Sequence, residues 1–379
     1  MREVLAAPLS NPALTNNIQS NLAFLRTTEE APPLLEEIVR HAESAGASDI
    51  HLQMHGRSAQ LAFRLDGVMT SGALVPEPVA ERLFGRIKFL ARLKTYQESM
   101  PQDGRIDRAD LSSRNDLRVS TYPTVTGEKV VLRLFQTGST RKLGELGFPA
   151  PVVAELDRFL RQSAGLLLLT GPAGSGKTTT IHSCLATLAA QGGRHVITVE
   201  DPVEQIIPGI MQTEVNEARG LTFAAAARHL LRQDPQVLVL GEIRDEETAT
   251  LAVRAALTGH LMISTLHAGS CRGVWERLLT LSRDTSAALT ALELVLNQRL
   301  IRRVCRECGG TGCGACLHTG YRGRGPVVEW FRFDEDARRQ VRERGSSAIH
   351  PTASIEDAAR ALVESGFTTR QEFDRLFNA

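Results

Sequence analysis

The chain has 379 residues, 42% hydrophobic and 23% charged, with a formal net charge of +1 and only 5% aromatic residues. That length suggests two compact domains, and the balance is that of a soluble globular protein. Near-neutrality and scarce aromatics argue against a nucleic-acid field or a base-stacking surface, so no nucleic-acid partner is expected. No apolar stretch reaches the roughly 18–20 residues of a transmembrane helix. The N-terminus, MREVLAAPLSNPALTNN, lacks the apolar core of a secretory signal, and the expected location is the cytoplasm.

In chain order, residues 1–30 have no clear period and read as a flexible arm. PPLLEEIVRHAESAG places Leu34, Leu35, Ile38, Val39 and Ala42 at helical spacing, framed by proline and glycine. SDIHLQ and AQLAFRLDGVM alternate as strands, and Asp66-Gly67 marks a hairpin turn. A helix near 78–94 and strands at 115–122 and 128–135 complete a small α+β domain over 31–135, followed by a linker at 136–142. From 143 to 379 the reading is one larger domain. Apolar strands at 164–170, 195–200, 236–241 and 261–265 alternate with helices, which predicts a mostly parallel sheet covered on both faces. Beyond about residue 285 the expectation is helix, interrupted by a cysteine loop.

GPAGSGKT follows the apolar run GLLLLT and opens TTTIHSCLATLAA. Gly171, Gly176, Lys177 and Thr178 satisfy the spacing of a phosphate-binding loop between a strand and a helix. Its glycines let backbone N–H groups turn inward, and the helix presents its positive end to the same anion. Gly171, Pro172, Ala173, Gly174, Ser175, Gly176, Lys177, Thr178 and Thr179 are therefore the expected contacts to nucleotide phosphates. Lys177 is expected to reach the terminal phosphates and Thr178 to ligate Mg²⁺.

Hydrolysis also needs acids at neighbouring strand ends. HVITV runs into Glu200-Asp201-Pro202, and QVLVL runs into Gly241-Glu242. Glu200 is the better candidate to activate water, and Glu242 to hold Mg²⁺ through its water shell. Spacing alone leaves the two roles interchangeable. LMIST ends in Leu266-His267, which puts His267 on the same edge as a candidate γ-phosphate contact. His260 reads more simply as a helix cap. Arg244 and Asp245 are candidates for an ion pair between subunits.

CRECGGTGCGAC holds Cys305, Cys308, Cys313 and Cys316 as two C-x-x-C pairs. Four thiolates suit tetrahedral, structural Zn²⁺. Free thiols and a loop that has lost its metal are the alternatives.

GPAGSGKTTT, TVEDPVE, LRQDPQVLVLGEIRDEETA and ALTGHLMISTLHA occur in this order. Together they resemble the Walker A loop, aspartate box, atypical Walker B and histidine box of the type II/type IV secretion ATPases. That is the secretion protein E family of type II secretion, type IV pilus and competence motors. ASDIHLQ, FRLDGVM, QDGRI and DLRVSTYPTVTGEKVVLRLF upstream, and NQRLIRRVCRECG and TGYRGRGPVVEW downstream, extend the likeness. The resemblance implies an α/β fold, a RecA-like P-loop NTPase domain preceded by a small α+β, PAS-like domain. It implies a homohexameric ring on the cytoplasmic face of the inner membrane, where ATP hydrolysis moves a platform protein. It also offers Arg105, Arg118 and, with less support, Arg133 as cations for the transferred phosphoryl group. The family's longer members carry a further N-terminal domain and a longer insert between the cysteine pairs. The cysteines favour secretion or pilus assembly, and the short N-terminus keeps retraction or competence in play. A non-hydrolysing, nucleotide-dependent docking component is the reading from another class.

Overall fold

The computed structural model describes residues 30–134 and 140–378, so most of the expected arm and linker lie outside the described residues. The chain divides into two units, each described by itself. One comprises the described residues of Met1–Gly138 with Arg302–Gly323, and the other those of Ser139–Ile301 and Arg324–Ala379.

The first unit runs α1 (Ala31–Ala45), β1 (Ala47–His55), β2 (Ser58–Leu65), β3 (Val68–Pro76), α2 (Glu77–Leu90), β4 (Gln102–Ile106), β5 (Leu117–Thr124) and β6 (Gly127–Leu134). Among the described residues these strands form one sheet in the order β3-β2-β1-β6-β5-β4, antiparallel at every step. α1 begins with proline in its first turn and stops at Gly46, whose φ of 71° closes the helix with N–H bonds to Ala42 and Glu43. Its apolar stripe, Leu34, Leu35, Ile38 and Val39, packs on Ile50, Leu52, Leu61 and Phe63 of the sheet. Asp66 and Gly67 take φ of 49° and 83°. Those left-handed conformations match the twist of a two-residue hairpin.

The second unit contains α3 (Ala150–Leu160), β7 (Gly165–Thr170), α4 (Lys177–Gln191), β8 (Val196–Glu200), β9 (Met211–Glu214), α5 (Phe223–Leu230), β10 (Val237–Leu240), α6 (Glu246–Leu257), β11 (Leu261–Thr265), α7 (Cys271–Leu281), α8 (Thr285–Ala291), β12 (Leu292–Val304), β13 (Tyr321–Arg332), α9 (Glu335–Arg344), α10 (Ile355–Glu364) and α11 (Arg370–Phe377). The far end of β12, the cysteine loop and the start of β13 group with the first unit. The sequence alone places that loop within the larger domain, 143–379.

The sheet order is β13-β12-β7-β11-β10-β8-β9, with parallel pairing from β12 through β9. Alternate residues of β7 enter opposite cores: Leu166 and Leu168 one, Leu167 and Leu169 the other. All four are fully buried. That explains a continuous apolar run where a one-sided strand would alternate, at about 1.5–3 kcal/mol per leucine.

One expectation is corrected. The chain beyond residue 285 is not simply helical, because β12 and β13 are long strands. LELVLNQRLIRRV is rich in good helix formers. Its Leu294, Val295 and Leu296 instead pair with β7 and bury in the two cores, so tertiary burial overrides local preference. β4 and β9 were also not foreseen.

β13 contributes one buried carboxylate that organises its surroundings. Glu329 accepts the N–H of Cys271 at 2.7 Å and of Ile355 at 3.3 Å, the first residues of α7 and α10. It thus supplies negative charge to the positive ends of two helices. Glu329→Ala should cost about 1–3 kcal/mol in urea unfolding of the full chain, and Glu329→Gln, which keeps an acceptor, should cost less.

Candidate active site

The phosphate loop fills the step from β7 to α4. Its shape is enforced from behind by Gln298 on β12. A side chain at Gly171 would meet the Gln298 carbonyl oxygen at 2.1 Å, and one at Gly176 the Gln298 amide nitrogen at 2.8 Å. Both glycines also have positive φ, 135° and 90°. Gln298 Nε2 donates to the Ser175 carbonyl at 2.8 Å, and Thr180 Oγ1 donates to Gln298 Oε1 at 2.9 Å. α4 begins with no side-chain cap, which leaves its first N–H groups for an anion. The Ser175 hydroxyl is buried and has no protein partner among the described residues. Lys177 Nζ donates to the Gly171 and Pro172 carbonyls at 2.7 and 3.0 Å. Burial lowers its pKa, opposed by the charge of Glu242. A half-buried ammonium, open helix N–H groups and an unpartnered hydroxyl fit a polyphosphate.

A cleft of about 220 Å³ adjoins the loop. Lys177, Thr178, Glu200, Glu242 and His267 all line it, so these sequence candidates from four segments converge. Glu200 ends β8 and is buried. Oε1 accepts from Thr198 Oγ1 at 2.6 Å and Gln212 Nε2 at 2.9 Å, and Oε2 lies 3.4 Å from His182 Nε2. Desolvation raises its pKa, but the donors His182, Thr198 and Gln212 outweigh it and hold the group below the usual carboxylate range. Glu242 is more open and counter-charged. Arg244 Nε donates to it at 3.0 Å, and His267 Nε2 lies 2.9 Å away. Arg244 also reaches Asp201 at 3.5 Å and lies over the Phe223 ring. Asp245 accepts from the Thr248 N–H at 2.7 Å and so caps α6 within the chain. The loop bearing His267 is tied to β7, since Thr170 Oγ1 both donates to Ala268 O at 2.7 Å and accepts from Ala268 N at 2.9 Å. His260 Nδ1 sits 3.0 Å from the Ala255 carbonyl near the end of α6.

The sequence reading missed His182, Gln212 and Gln298. None sits in a spacing motif. Only the apposition of α4, β9 and β12 to the loop and β8 reveals them.

The arginine candidates belong to the first unit, whereas the residues lining the cleft belong to the second. Arg105, Arg118 and Arg133 stand directly opposite one another across β4, β5 and β6. Like charges so placed repel, and each has an acid nearby. Arg105 pairs with Asp116, Arg118 lies 3.9 Å from Asp103, and Arg133 donates to Asp49 at 3.0 Å.

The cysteine loop converges. The sulfur atoms of Cys305, Cys308, Cys313 and Cys316 lie within 4.8 Å of one another. Cys305–Cys313, Cys308–Cys316 and Cys313–Cys316 separations are 4.0, 3.9 and 3.8 Å. A tetrahedron with Zn–S bonds of about 2.3 Å has edges of about 3.8 Å. The N–H groups of Gly312 and Cys313 each donate to a sulfur at 3.2 Å. Desolvation opposes ionisation of Cys308, and the Gly312 and Gly310 N–H groups outweigh it, holding that thiol down at about 6. The set fits a structural Zn²⁺. The short insert between the pairs does not keep the thiols apart. Leu317, just past the last cysteine, enters the first unit's core, and Asp66 accepts the Gly323 N–H at 2.8 Å.

A parallel sheet that delivers a glycine-rich loop, a lysine and two strand-end acids to one cleft defines an ATPase of the P-loop class. The sequence pattern of the Type II/IV secretion system proteins matches residues 26–375. The type II secretion system protein HxcR of Pseudomonas aeruginosa is 38% identical over 381 residues, covering 96% of this chain and 81% of the relative. The type II secretion system ATPase E of Vibrio cholerae is 35% identical over 398 residues, covering 96% of this chain and 79% of the relative. Among solved structures, the pilus retraction motor PilT with bound ADP superposes with a TM-score of 0.64 at 26% identity, covering 90% of this chain and 96% of that one. The Legionella pneumophila ATPase DotB, at 22% identity and covering 92% and 96%, shares the fold with a TM-score of 0.73. The chain belongs to the type II/IV secretion system protein family and is an ATPase motor of secretion or pilus machines. No helix among the described residues is long and apolar enough to cross a membrane.

Lys177→Ala should weaken ATP binding by tenfold or more in a fluorescent-nucleotide titration; unchanged affinity would remove Lys177 from the phosphate site. Metal analysis after chelator-free purification should find about one zinc per chain, and Cys308→Ser should lower that occupancy.

Proposed function

We propose that this protein is the cytoplasmic ATPase of a type II secretion or type IV pilus assembly machine. The observation that carries the reading is the convergence of Lys177, Thr178, Glu200 and Glu242 on one cleft. It is a hydrolytic set, which speaks against a purely docking component. Loop N–H groups and Lys177 hold the β- and γ-phosphates. Thr178 and, through water, Glu242 would hold Mg²⁺, whose charge would neutralise phosphate oxygens. Glu200 is buried and lines the cleft, and it is the group that orients the attacking water and accepts its proton. His267, beside Glu242, contacts the γ-phosphate. Arg105 and Arg118 neutralise charge developing on the phosphoryl group, as the family resemblance implies. Both guanidinium groups are exposed, and the Arg118–Asp103 pair, open to solvent on both sides, contributes only about 0–1 kcal/mol.

The family resemblance supports a homohexamer at the cytoplasmic face of the inner membrane, working on a platform protein. The four-cysteine cluster favours secretion or pilus extension. The similarity to a pilus retraction motor at 26% identity supports the second reading, retraction.

Glu200→Gln should bind ATP normally and hydrolyse it about 10²–10³-fold more slowly in a single turnover. A normal rate would show that another group activates water. Arg105→Ala and Arg118→Ala should each lower kcat with little change in KM; unchanged kcat would return them to surface ion pairs.

A further inference from the structure

The two oxygens of Glu200 have different surroundings. Oε1 already accepts two hydrogen bonds, from Thr198 and Gln212. An oxygen so engaged has little capacity left for water. Oε2 has one partner among the described residues, His182 Nε2 at 3.4 Å. An ionised carboxylate only accepts, so that ring nitrogen carries the hydrogen.

His182 lies one turn beyond Thr178 on the same face of α4. Its side chain is 7% exposed, and it lines the phosphate cleft together with Glu200. Burying an imidazole there is costly unless it is hydrogen-bonded. Lys177 is engaged with its own loop, and Glu242 with Arg244 and His267.

We infer that His182 is a positioning residue for hydrolysis: its ring N–H pins Oε2 of Glu200 so that the remaining lone pair of that oxygen faces water in the cleft. The inference rests on the reading of Glu200 as the group that activates water. His182 touches neither water nor nucleotide in this role and acts through the carboxylate.

The test is ATP affinity and single-turnover hydrolysis of the full chain carrying His182→Phe, His182→Gln, Glu200→Gln, or His182→Phe with Glu200→Gln. His182→Phe keeps the ring shape without the donor and should slow hydrolysis at least about tenfold, with ATP affinity within about twofold. His182→Gln restores an N–H of similar reach and should recover most of the rate. The double variant should be no slower than Glu200→Gln alone, because the two residues act as a unit. A full rate in His182→Phe beside a slow Glu200→Gln overturns this inference and leaves Glu200 in place. Additive losses in the double variant also overturn it, since His182 would then act elsewhere. A normal rate in Glu200→Gln overturns the reading of Glu200 and the inference with it. Should His182→Phe fail to fold, His182→Asn, too short to reach Oε2, carries the same expectation and the same overturning result.

Discussion

The second unit is governed by a sheet buried on both faces. Its inner strands pair with neighbours on both edges, and both sides of β7 are closed by apolar cores. Polar chemistry has no place along such strands and is displaced to their ends. There the chain must leave the sheet, and there Thr170, Glu200, Gly241 and Thr265 lie. The same constraint explains the glycines of the phosphate loop. β12 packs against β7, so the Gln298 backbone comes too close to Gly171 for any side chain.

Two carboxylates of the same type have different electrostatic surroundings. Glu200 is buried and takes hydrogen bonds from His182, Thr198 and Gln212, which hold its carboxyl below the usual carboxylate range. Glu242 sits between Arg244 and His267, half open to the cleft. A carboxylate held rigidly by hydrogen bonds suits orienting water. One paired with an exposed arginine suits a site where a metal and phosphates must enter and leave. The sequence left these roles interchangeable, and their surroundings favour one assignment.

The cysteine loop shows a similar division. Two C-x-x-C pairs announce a metal site, but spacing says nothing about convergence. Sulfur separations of 3.8–4.0 Å bring it within tetrahedral reach. The same loop lends Leu317 to the first unit's core, although the strands that carry it begin and end in the second unit's sheet. Contact between distant segments, which sequence order does not encode, decides where such a loop belongs.

Local signals determined much about this protein. Helix α1, the Asp66-Gly67 hairpin, the fully apolar strands, the phosphate loop and both strand-end acids follow from periodicity and turn chemistry over a few residues. Those patterns reflect burial and backbone angles that each segment meets by itself. Tertiary structure decided what depends on a neighbour. It made LELVLNQRLIRRV a strand because β7 offered an edge, set Gln298 behind the loop, and brought His182 and Gln212 to the two oxygens of Glu200. A helix-forming segment and a lone histidine carry no mark of such partners, because the energy that places them comes from surfaces far away in the chain.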